Sequence, residues 1–172
     1  LCSKDSSKLK NKAITVSAAV LTSAVYGEQY IPGDIRRSLK FAPHSGLAEL
    51  SAKQAYEASG IGPEDVDIVQ AYDTMTPSEL WDIEELGFCK RGEAPHLLRE
   101  GVFDINGRIP VNTDGGLMGR SHPMGATALG QIYEIILQLR GDAGARQVER
   151  ARIGLAHAMG AGPNSSTTIL KK

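Results

Sequence analysis

Hydrophobic residues along the chain change between two spacings, one typical of strands and one typical of helices. In the segment KAITVSAAVL (12–21), apolar side chains occupy every second position. This alternation predicts a strand with one buried face. The positions on that face are Ile14, Val16, Ala18 and Val20.

Three later segments have the spacing or the end signals of helices. The run SGLAELSAKQAYEASG (45–60) repeats apolar residues along one side and ends at Gly60, a favourable residue for a helix end. The run PMGATALGQIYEIILQLRG (123–141) predicts a long helix that starts at Pro123. Between them, TPSE (76–79) has the form of a capping box and predicts a helix over about residues 77–86. The expected buried sides contain Leu47, Leu50, Ala55 and Ala58 in the first helix and Leu129, Ile132, Ile136 and Leu139 in the long one.

The rest of the pattern completes a layered fold. Residues 66–69 predict a short buried strand that ends near Tyr72. The segments RIGLAHAM (152–159) and NSSTTIL (164–170) predict two strands joined through GAGPN as an antiparallel hairpin. Three segments without sustained periodicity are expected to be irregular, namely 22–44, 88–108 and 114–122. We therefore expect an α/β fold with a mixed sheet covered by helices on both faces.

Composition and charge limit the classes of protein and of partner. The 172 residues suffice for one domain or for one half of a larger protein. A net charge of −1 argues against nucleic acid or an anionic membrane as the main partner, and no apolar stretch is long enough for a membrane span. Cys2 and Cys89 lie far apart and lack zinc-ligand spacing. We expect reduced thiols, a cytoplasmic location and no metal.

His122 is a candidate catalytic residue because it lies between a glycine-rich segment and the expected helix start at Pro123. The field of a helix N-terminus disfavours imidazolium, so a histidine there tends to stay neutral and acts as a base or as a donor to an oxyanion. Gly115 and Gly116 would let a substrate approach the backbone closely. The alternative is a surface turn in which His122 merely caps the helix, and composition alone favours that alternative.

Tyr72, Asp73 and His157 are further candidates. Tyr72 and Asp73 follow a predicted strand, where open α/β sheets usually place ligand-contacting groups. The tyrosine would act as a general acid or oxyanion donor, and the aspartate would orient it or a histidine. The alternatives are a packing role for Tyr72 and a turn for Asp73. His157 lies on the bulky face of a strand, where a buried histidine with a satisfied ring is the commoner outcome.

Four stretches together resemble the C-terminal half of the thiolase superfamily, most closely the sterol carrier protein X and lipid-transfer-protein-like thiolases. They are DVDIVQAYDTMTPSELWDIEELGFCKRGEA, VNTDGGLMGRSHPMGATALGQ, QLRGDAGARQV and GLAHAMGAG. The resemblance implies a fold of two similar α/β halves, usually dimeric, of which this chain is the second. Residues 45–172 would form the thiolase-like C-terminal domain, and residues 1–44 a strand and long loop from the junction with the N-terminal half.

The resemblance also implies roles for the candidate residues. The family's Gly-His-Pro histidine, which helps to form an oxyanion hole for the thioester carbonyl, falls on His122. The second polar motif of the family falls on residues 72–75, with Tyr72 in the position that would hold a catalytic water or an oxyanion. The acid–base cysteine of typical thiolases falls at about Ala158 and is absent. The implied substrate-binding positions are Gly115, Gly116, Ser121 (in place of the family's glycine), Gly160 and Gly162.

The nucleophilic cysteine of the family lies in the N-terminal half, and neither Cys2 nor Cys89 is at its place. Three functions therefore stay open. The chain would be the C-terminal domain of an acyl-CoA C-acyltransferase, a cysteine-independent retro-aldolase on β-hydroxyacyl-CoA, or a non-catalytic subunit that binds acyl-CoA. The implied partners are an acyl-CoA thioester, further copies in a homodimer or tetramer, and a second protein subunit as an option. No cofactor is implied beyond the coenzyme A of the substrate.

Overall fold

The computed structural model describes residues 13–23, 46–160 and 164–172. Its helices and strands follow in chain order: β1 Thr15–Ser23, α1 Leu47–Ser59, β2 Ile68–Gln70, α2 Thr76–Glu85, α3 Ala94–Arg99, α4 Gly116–Arg120, α5 Thr127–Arg140, β3 Ile153–Met159 and β4 Asn164–Lys171. Short 3₁₀ turns at Pro63–Asp65 and Gly144–Arg146 precede β2 and β3. The segment 22–44, predicted to be irregular, lies outside the described residues from position 24 onwards.

The four strands form one mixed sheet in the order β1-β4-β3-β2. β4 is antiparallel to both β1 and β3, whereas β2 is parallel to β3. The β3–β4 pair confirms the predicted hairpin strands, and residues 161–163 of its turn lie outside the described residues. Because β1 pairs with β4 from Thr15 to Ser23, the strand of the 1–44 segment lies in the same sheet as the rest of the fold.

Helices cover both faces of the sheet, which confirms that prediction. Successive side chains of a strand point to opposite faces, so Val69 packs in a core with α1, α2 and α3 whereas its neighbour Ile68 packs beneath α5. In β3, Leu155 packs in the same core as Val69, and its neighbour Ala156 packs in the same core as Ile68. Each fully buried aliphatic side chain of this kind stabilises the fold by about 1.5–3 kcal/mol. The carboxyl end of β2 is therefore fixed from both sides.

The long helix starts later than predicted. α5 begins at Thr127, and residues 123–126 form a turn in which the N–H groups of Ala126 and Thr127 both donate to the Pro123 carbonyl, at 2.8 and 3.0 Å. Pro123 is therefore not the first residue of the helix. His122 lies in a loop between α4 and α5, and the prediction that it directly precedes a helix N-terminus is wrong.

The buried side of α5 also differs from the prediction. Leu129 and Tyr133 are 69% and 62% exposed. The side that faces the sheet is Thr127, Gln131, Glu134, Ile135, Gln138 and Leu139. These buried polar groups have protein partners: the Gln131 amide donates to the Ala71 and His157 carbonyls at 3.0 and 2.8 Å, and the Glu134 carboxylate pairs with Arg146 at 2.8 Å. The spacing of apolar residues therefore predicted the buried side of α5 only in part.

Smaller differences have local causes. In α1, Leu50 and Ala58 are exposed, because the helix buries its small residues against β1 and β4 instead. Val16 of β1 is 42% exposed next to a register shift between residues 16 and 18. α2 starts at Thr76, and its cap is formed by Met75 and Ser78, whose hydroxyl accepts from the Met75 N–H at 3.1 Å. The predicted Thr76–Glu79 capping box is not the one formed.

Two helices lie in segments that were predicted to be irregular. α3 occupies part of 88–108, and α4 occupies part of the glycine-rich segment 114–122. α4 forms despite its glycines because the carboxylate of Asp73, from a distant part of the chain, accepts from the N–H groups of Leu117 and Met118. This tertiary cap is invisible to a reading of local sequence.

Candidate active site

Tyr72 and His122 meet beyond the carboxyl end of β2. Tyr72 lies two residues after that strand, and His122 lies in the loop that follows α4. The Tyr72 hydroxyl is 3.2 Å from His122 Nε2, and the two rings meet edge to face with centroids 5.5 Å apart. Both residues are partly exposed. Two residues that were candidates on separate grounds therefore form one polar pair that solvent and ligands can reach.

Thr127, the first residue of α5, sets the orientation of the His122 ring. Its hydroxyl oxygen lies 2.6 Å from His122 Nδ1, and its hydroxyl proton is directed to the Pro123 carbonyl at 3.1 Å. The oxygen is then left to accept, so Nδ1 of a neutral His122 carries the proton. Nε2 consequently presents a lone pair, and the Tyr72 hydroxyl donates to it. The pair combines a base with a proton donor.

Replacing Thr127 with valine is expected to remove this control of the tautomer. The side chain is isosteric and buried, but it offers no oxygen to Nδ1. ¹⁵N NMR of the imidazole should report mainly Nδ1–H for neutral His122 in the parent protein and a mixture in the variant. The exposed Thr74 provides the matched control, and Thr74→Val should leave the spectrum unchanged. A parent spectrum dominated by Nε2–H would contradict the assignment.

The Tyr72 phenol is held in its protonated form. Burial raises its pKa, and the nearby Asp82 carboxylate raises it further. The same Asp82 accepts from the Tyr72 backbone N–H at 2.8 Å, through Oδ2. Near neutral pH the hydroxyl therefore keeps its proton and is available to donate, either to His122 or to an oxygen of a bound molecule.

Asp73 has a different structural role from the predicted one of orienting Tyr72 or a histidine. It is buried, and its carboxylate accepts from the Leu117 N–H at 2.7 Å and from the Met118 N–H at 3.4 Å. Burial raises its pKa, although these backbone donors counteract part of that rise. Asp73 therefore fixes α4, which leads directly into Ser121 and His122.

The glycines of the site have structural reasons of their own. Gly115 and Gly116 both have positive φ, at 94° and 63°, a region that suits glycine. A Cβ at Gly116 would also overlap the Asp73 carboxylate, and one at Gly160 would overlap the Asn164 side chain. Gly162 lies outside the described residues. Substrate binding by these glycines stays a prediction.

Ser121 is held in a backbone conformation that is almost exclusive to glycine. Its φ is 89° and its ψ is 163°, a region where a side chain costs about 1–3 kcal/mol. Ser121 caps the C-terminus of α4, with its N–H donating to the Leu117 carbonyl at 3.1 Å. The strain is therefore located at the residue that positions His122.

Replacing Ser121 with glycine is expected to increase the free energy of unfolding by about 1 kcal/mol. Relief of the strained φ raises stability, and the greater freedom of glycine in the unfolded chain removes part of the gain. Denaturant unfolding measures the difference. Ser121→Ala keeps the Cβ and serves as the control, with stability close to that of the parent. A glycine variant less stable than the parent would show that the serine is not strained in solution.

His157 lies inside the protein and not at the Tyr72–His122 pair. It is fully buried, with Nδ1 at 2.8 Å from Asp82 Oδ2 and Nε2 at 2.8 Å from the Ser165 hydroxyl. Both ring nitrogens are thus occupied by protein groups. The structure therefore supports the alternative of a buried histidine with a satisfied ring.

The described ranges 13–23, 46–160 and 164–172 offer little for thiol, metal or membrane chemistry. Burial raises the pKa of the Cys89 thiol to about 11, so it is a poor nucleophile near neutral pH. No group of three or more His, Cys, Asp or Glu side chains in these ranges is arranged to hold a metal ion. Within the same ranges, no helix has the length and apolar character needed to cross a membrane.

Sequence reasoning missed Thr127 and Asp82, which support the pair from behind. Thr127 was assigned to the interior of a helix that in fact begins at that residue. Asp82 is a charged residue that faces the core from α2, 5% exposed, ten positions after Tyr72. Asp82 lies between Trp81 and Ile83 on a helix with three further acidic residues, so nothing local marks it, and its partners become clear only in the folded structure.

The chain is similar to known proteins over most of its length. The family model described as Thiolase C-terminal domain-like matches residues 39–172. Sterol carrier protein 2 of Rattus norvegicus is 38% identical over 125 residues, which cover 73% of this chain and 23% of that protein. Benzoylsuccinyl-CoA thiolase subunit BbsB of Thauera aromatica is 36% identical over 91% of this chain and 39% of its own length.

A solved structure gives the same picture of the fold. The structure described as an Ltp2-ChsH2(DUF35) aldolase matches 94% of this chain and 40% of its own chain, with a TM-score of 0.76 and 28% identity. This chain thus spans roughly a quarter to two fifths of the length of the proteins it resembles. The resemblance to the C-terminal half of thiolases is confirmed: the chain belongs to the Thiolase C-terminal domain-like family.

Proposed function

We propose that this chain supplies the acid–base side of a site that forms or breaks a carbon–carbon bond next to an acyl-CoA thioester. The observation that carries the proposal is the 3.2 Å contact between the Tyr72 hydroxyl and His122 Nε2. Such chemistry develops negative charge on a thioester oxygen and requires proton transfer. A protonated phenol and an imidazole in contact offer both functions. A relative named as a benzoylsuccinyl-CoA thiolase subunit supports this reaction class.

In an acyl-CoA C-acyltransferase, this chain would act with the N-terminal half that its longer relatives contain. That half would provide the nucleophilic cysteine, as the thiolase resemblance implies. His122 would take the proton of the cysteine thiol as the sulfur attacks the carbonyl, and the Tyr72 hydroxyl would donate to the enolate oxygen of the leaving acyl-CoA. The proton on His122 would then pass to C2 of that enolate. Substrate contacts by Gly115, Gly116, Ser121, Gly160 and Gly162 belong to the same proposal.

Retro-aldol cleavage of a 3-hydroxyacyl-CoA is the second candidate, favoured by a specific observation. Tyr72 and His122 form a donor–acceptor pair without a thiol, and Ala158 stands near the place of the acid–base cysteine. His122 Nε2 would take the proton of the 3-hydroxyl group as the C2–C3 bond breaks. The electron pair of that bond would enter the thioester as an enolate, whose oxygen accepts from the Tyr72 hydroxyl. Transfer of the proton from His122 to C2 then gives a shortened acyl-CoA and an aldehyde or ketone, with His122 returned to its starting state.

Assembly with other chains is part of the proposal. A relative named as a thiolase subunit, and a structure named as an Ltp2-ChsH2(DUF35) aldolase, support a second protein as partner, besides a homodimer or tetramer. Leu129 and Tyr133, exposed on α5, are apolar positions suited to such contacts. We also propose a cytoplasmic location. The third candidate function is binding of acyl-CoA without catalysis.

Two substrates distinguish the candidate reactions. The complete protein that contains this chain should be incubated with acetoacetyl-CoA plus coenzyme A, and separately with a 3-hydroxyacyl-CoA, with shortened acyl-CoA as the measured product. Cleavage that requires free coenzyme A supports the acyltransferase. Cleavage without coenzyme A that releases a carbonyl compound supports the aldolase. If acyl-CoA binds but neither thioester is cleaved by an intact assembly, the proposed chemistry is wrong and a binding role remains.

A further inference from the structure

We propose that Asp82 is a positioning residue for Tyr72, and that His157 holds Asp82 in the orientation that this task requires. The inference rests on the proposed function, since it takes the Tyr72 hydroxyl to contact the substrate. It gives the buried Asp82–His157 pair a role that acts through Tyr72 and not through contact with the reacting atoms.

One oxygen of Asp82 joins two parts of the fold. Oδ2 accepts from the Tyr72 backbone N–H at 2.8 Å and from His157 Nδ1 at 2.8 Å. Asp82 is 5% exposed and His157 is fully buried, so solvent does not compete for these bonds. Hydrogen bonds to a charged acceptor in such surroundings are short and strong. The Tyr72 backbone is thereby tied to both α2 and β3.

The bond matters because the chain leaves the sheet at this point. β2 ends at Gln70, and the groups that follow find side-chain partners instead of a neighbouring strand. The Ala71 N–H donates to Asn112 Oδ1 at 2.9 Å, the Ala71 carbonyl accepts from Gln131 at 3.0 Å, and the Tyr72 N–H donates to Asp82. With the backbone fixed in this way, the position of the Tyr72 hydroxyl beside His122 depends only on rotation about the side-chain bonds of Tyr72.

His157 is in turn anchored on its far side. Its Nε2 lies 2.8 Å from the Ser165 hydroxyl, which lies 2.8 Å from the hydroxyl of Ser51 on α1. All three residues are fully buried. The ring therefore has one orientation, and it directs Nδ1 at Asp82. A buried chain of polar groups thus runs from α1, along the face of the sheet that α1 and α2 cover, to the Tyr72 backbone.

A double-mutant cycle tests whether Asp82 acts through Tyr72. In the complete protein, Asp82→Asn should lower kcat on the cleaved acyl-CoA about tenfold with KM within about twofold, because an amide oxygen keeps the shape but binds both donors more weakly. In a Tyr72→Phe background the same change should lower kcat less than about twofold. A purely structural role of Asp82 would give equal effects in both backgrounds, and that result overturns the inference.

Two amides at position 157 provide a matched pair. The amide nitrogen of asparagine takes roughly the place of Nδ1, and that of glutamine the place of Nε2. His157→Asn keeps the contact with Asp82, whereas His157→Gln keeps only the contact with Ser165. The inference expects a higher kcat for the asparagine variant at similar thermal stability. Equal kcat values, or a higher value for glutamine, contradict it.

Controls separate this inference from the proposed function. Ser165→Ala removes the outer contact of the His157 ring and leaves the ring's own bond to Asp82 in place, so it should lower the melting temperature and reduce kcat less than His157→Gln does. If Asp82→Asn does not fold, the position-157 pair carries the test. If Tyr72→Phe alone leaves kcat unchanged, the proposed function fails. If Tyr72→Phe lowers kcat but the cycle is additive, only the positioning role fails.

Discussion

Replacing His122 with alanine is expected to lower kcat/KM of the complete protein by about 10²–10⁴-fold, the usual contribution of a general acid or base. The imidazole Nε2 is the acceptor that faces the Tyr72 hydroxyl, and alanine offers nothing in its place. The cost in stability should stay below about 1 kcal/mol, since the residue is only partly buried and lies in a loop. Steady-state kinetics and denaturant unfolding measure the two effects.

The exposed His96 on α3 provides the control, and His96→Ala should change neither quantity. The unequal effects on turnover and stability are the diagnostic result at position 122. Equal kcat/KM for the His122 variant and the parent, on a substrate that the parent cleaves, means that this histidine takes no part in the chemistry.

Removing the Tyr72 hydroxyl should have the second large effect. Tyr72→Phe keeps the ring and its edge-to-face contact with His122 but loses the proton donor. We expect kcat to fall by about 10²-fold with KM within about threefold, because a bond to a developing oxyanion acts mainly in the transition state. Tyr133, 62% exposed on α5, is the matched control, since Tyr133→Phe removes a hydroxyl that has no part in the proposed proton transfer.

A larger effect on KM than on kcat would contradict this account of Tyr72. It would place the hydroxyl in ground-state binding of the substrate and leave the proton transfer to another group. A Tyr72→Phe variant with the turnover of the parent would remove the residue from the site altogether.

Much of the fold follows from local sequence. Alternation predicted β1 and β3, and short apolar or β-branched runs predicted β2 and β4. Gly60 and Gly141 end their helices with the expected left-handed φ of 67° and 79°. The mixed sheet with helices on both faces, and the thiolase resemblance, were predicted correctly. These features depend on neighbours in sequence or on long shared motifs, which is why they could be predicted from the chain alone.

The features that were missed depend on contacts between distant residues. The glycine-rich α4 exists because Asp73, more than 40 positions earlier, caps it at 2.7 Å. The inward side of α5 is polar because Gln131 donates to two backbone carbonyls and Glu134 pairs with Arg146, contacts that apolar spacing does not reveal. Tyr72 and His122 were each proposed from position and family motif, but their contact and its support by Thr127 and Asp82 required the folded structure.

The most direct test of the central claim is a crystal structure of the complete protein with a non-cleavable acyl-CoA analogue. The account predicts that the thioester oxygen, or the oxygen that mimics the 3-hydroxyl group, lies within hydrogen-bond distance, about 2.6–3.2 Å, of the Tyr72 hydroxyl or of His122 Nε2. An ordered analogue whose reacting carbons bind elsewhere, with Tyr72 and His122 still bonded only to each other, would contradict it.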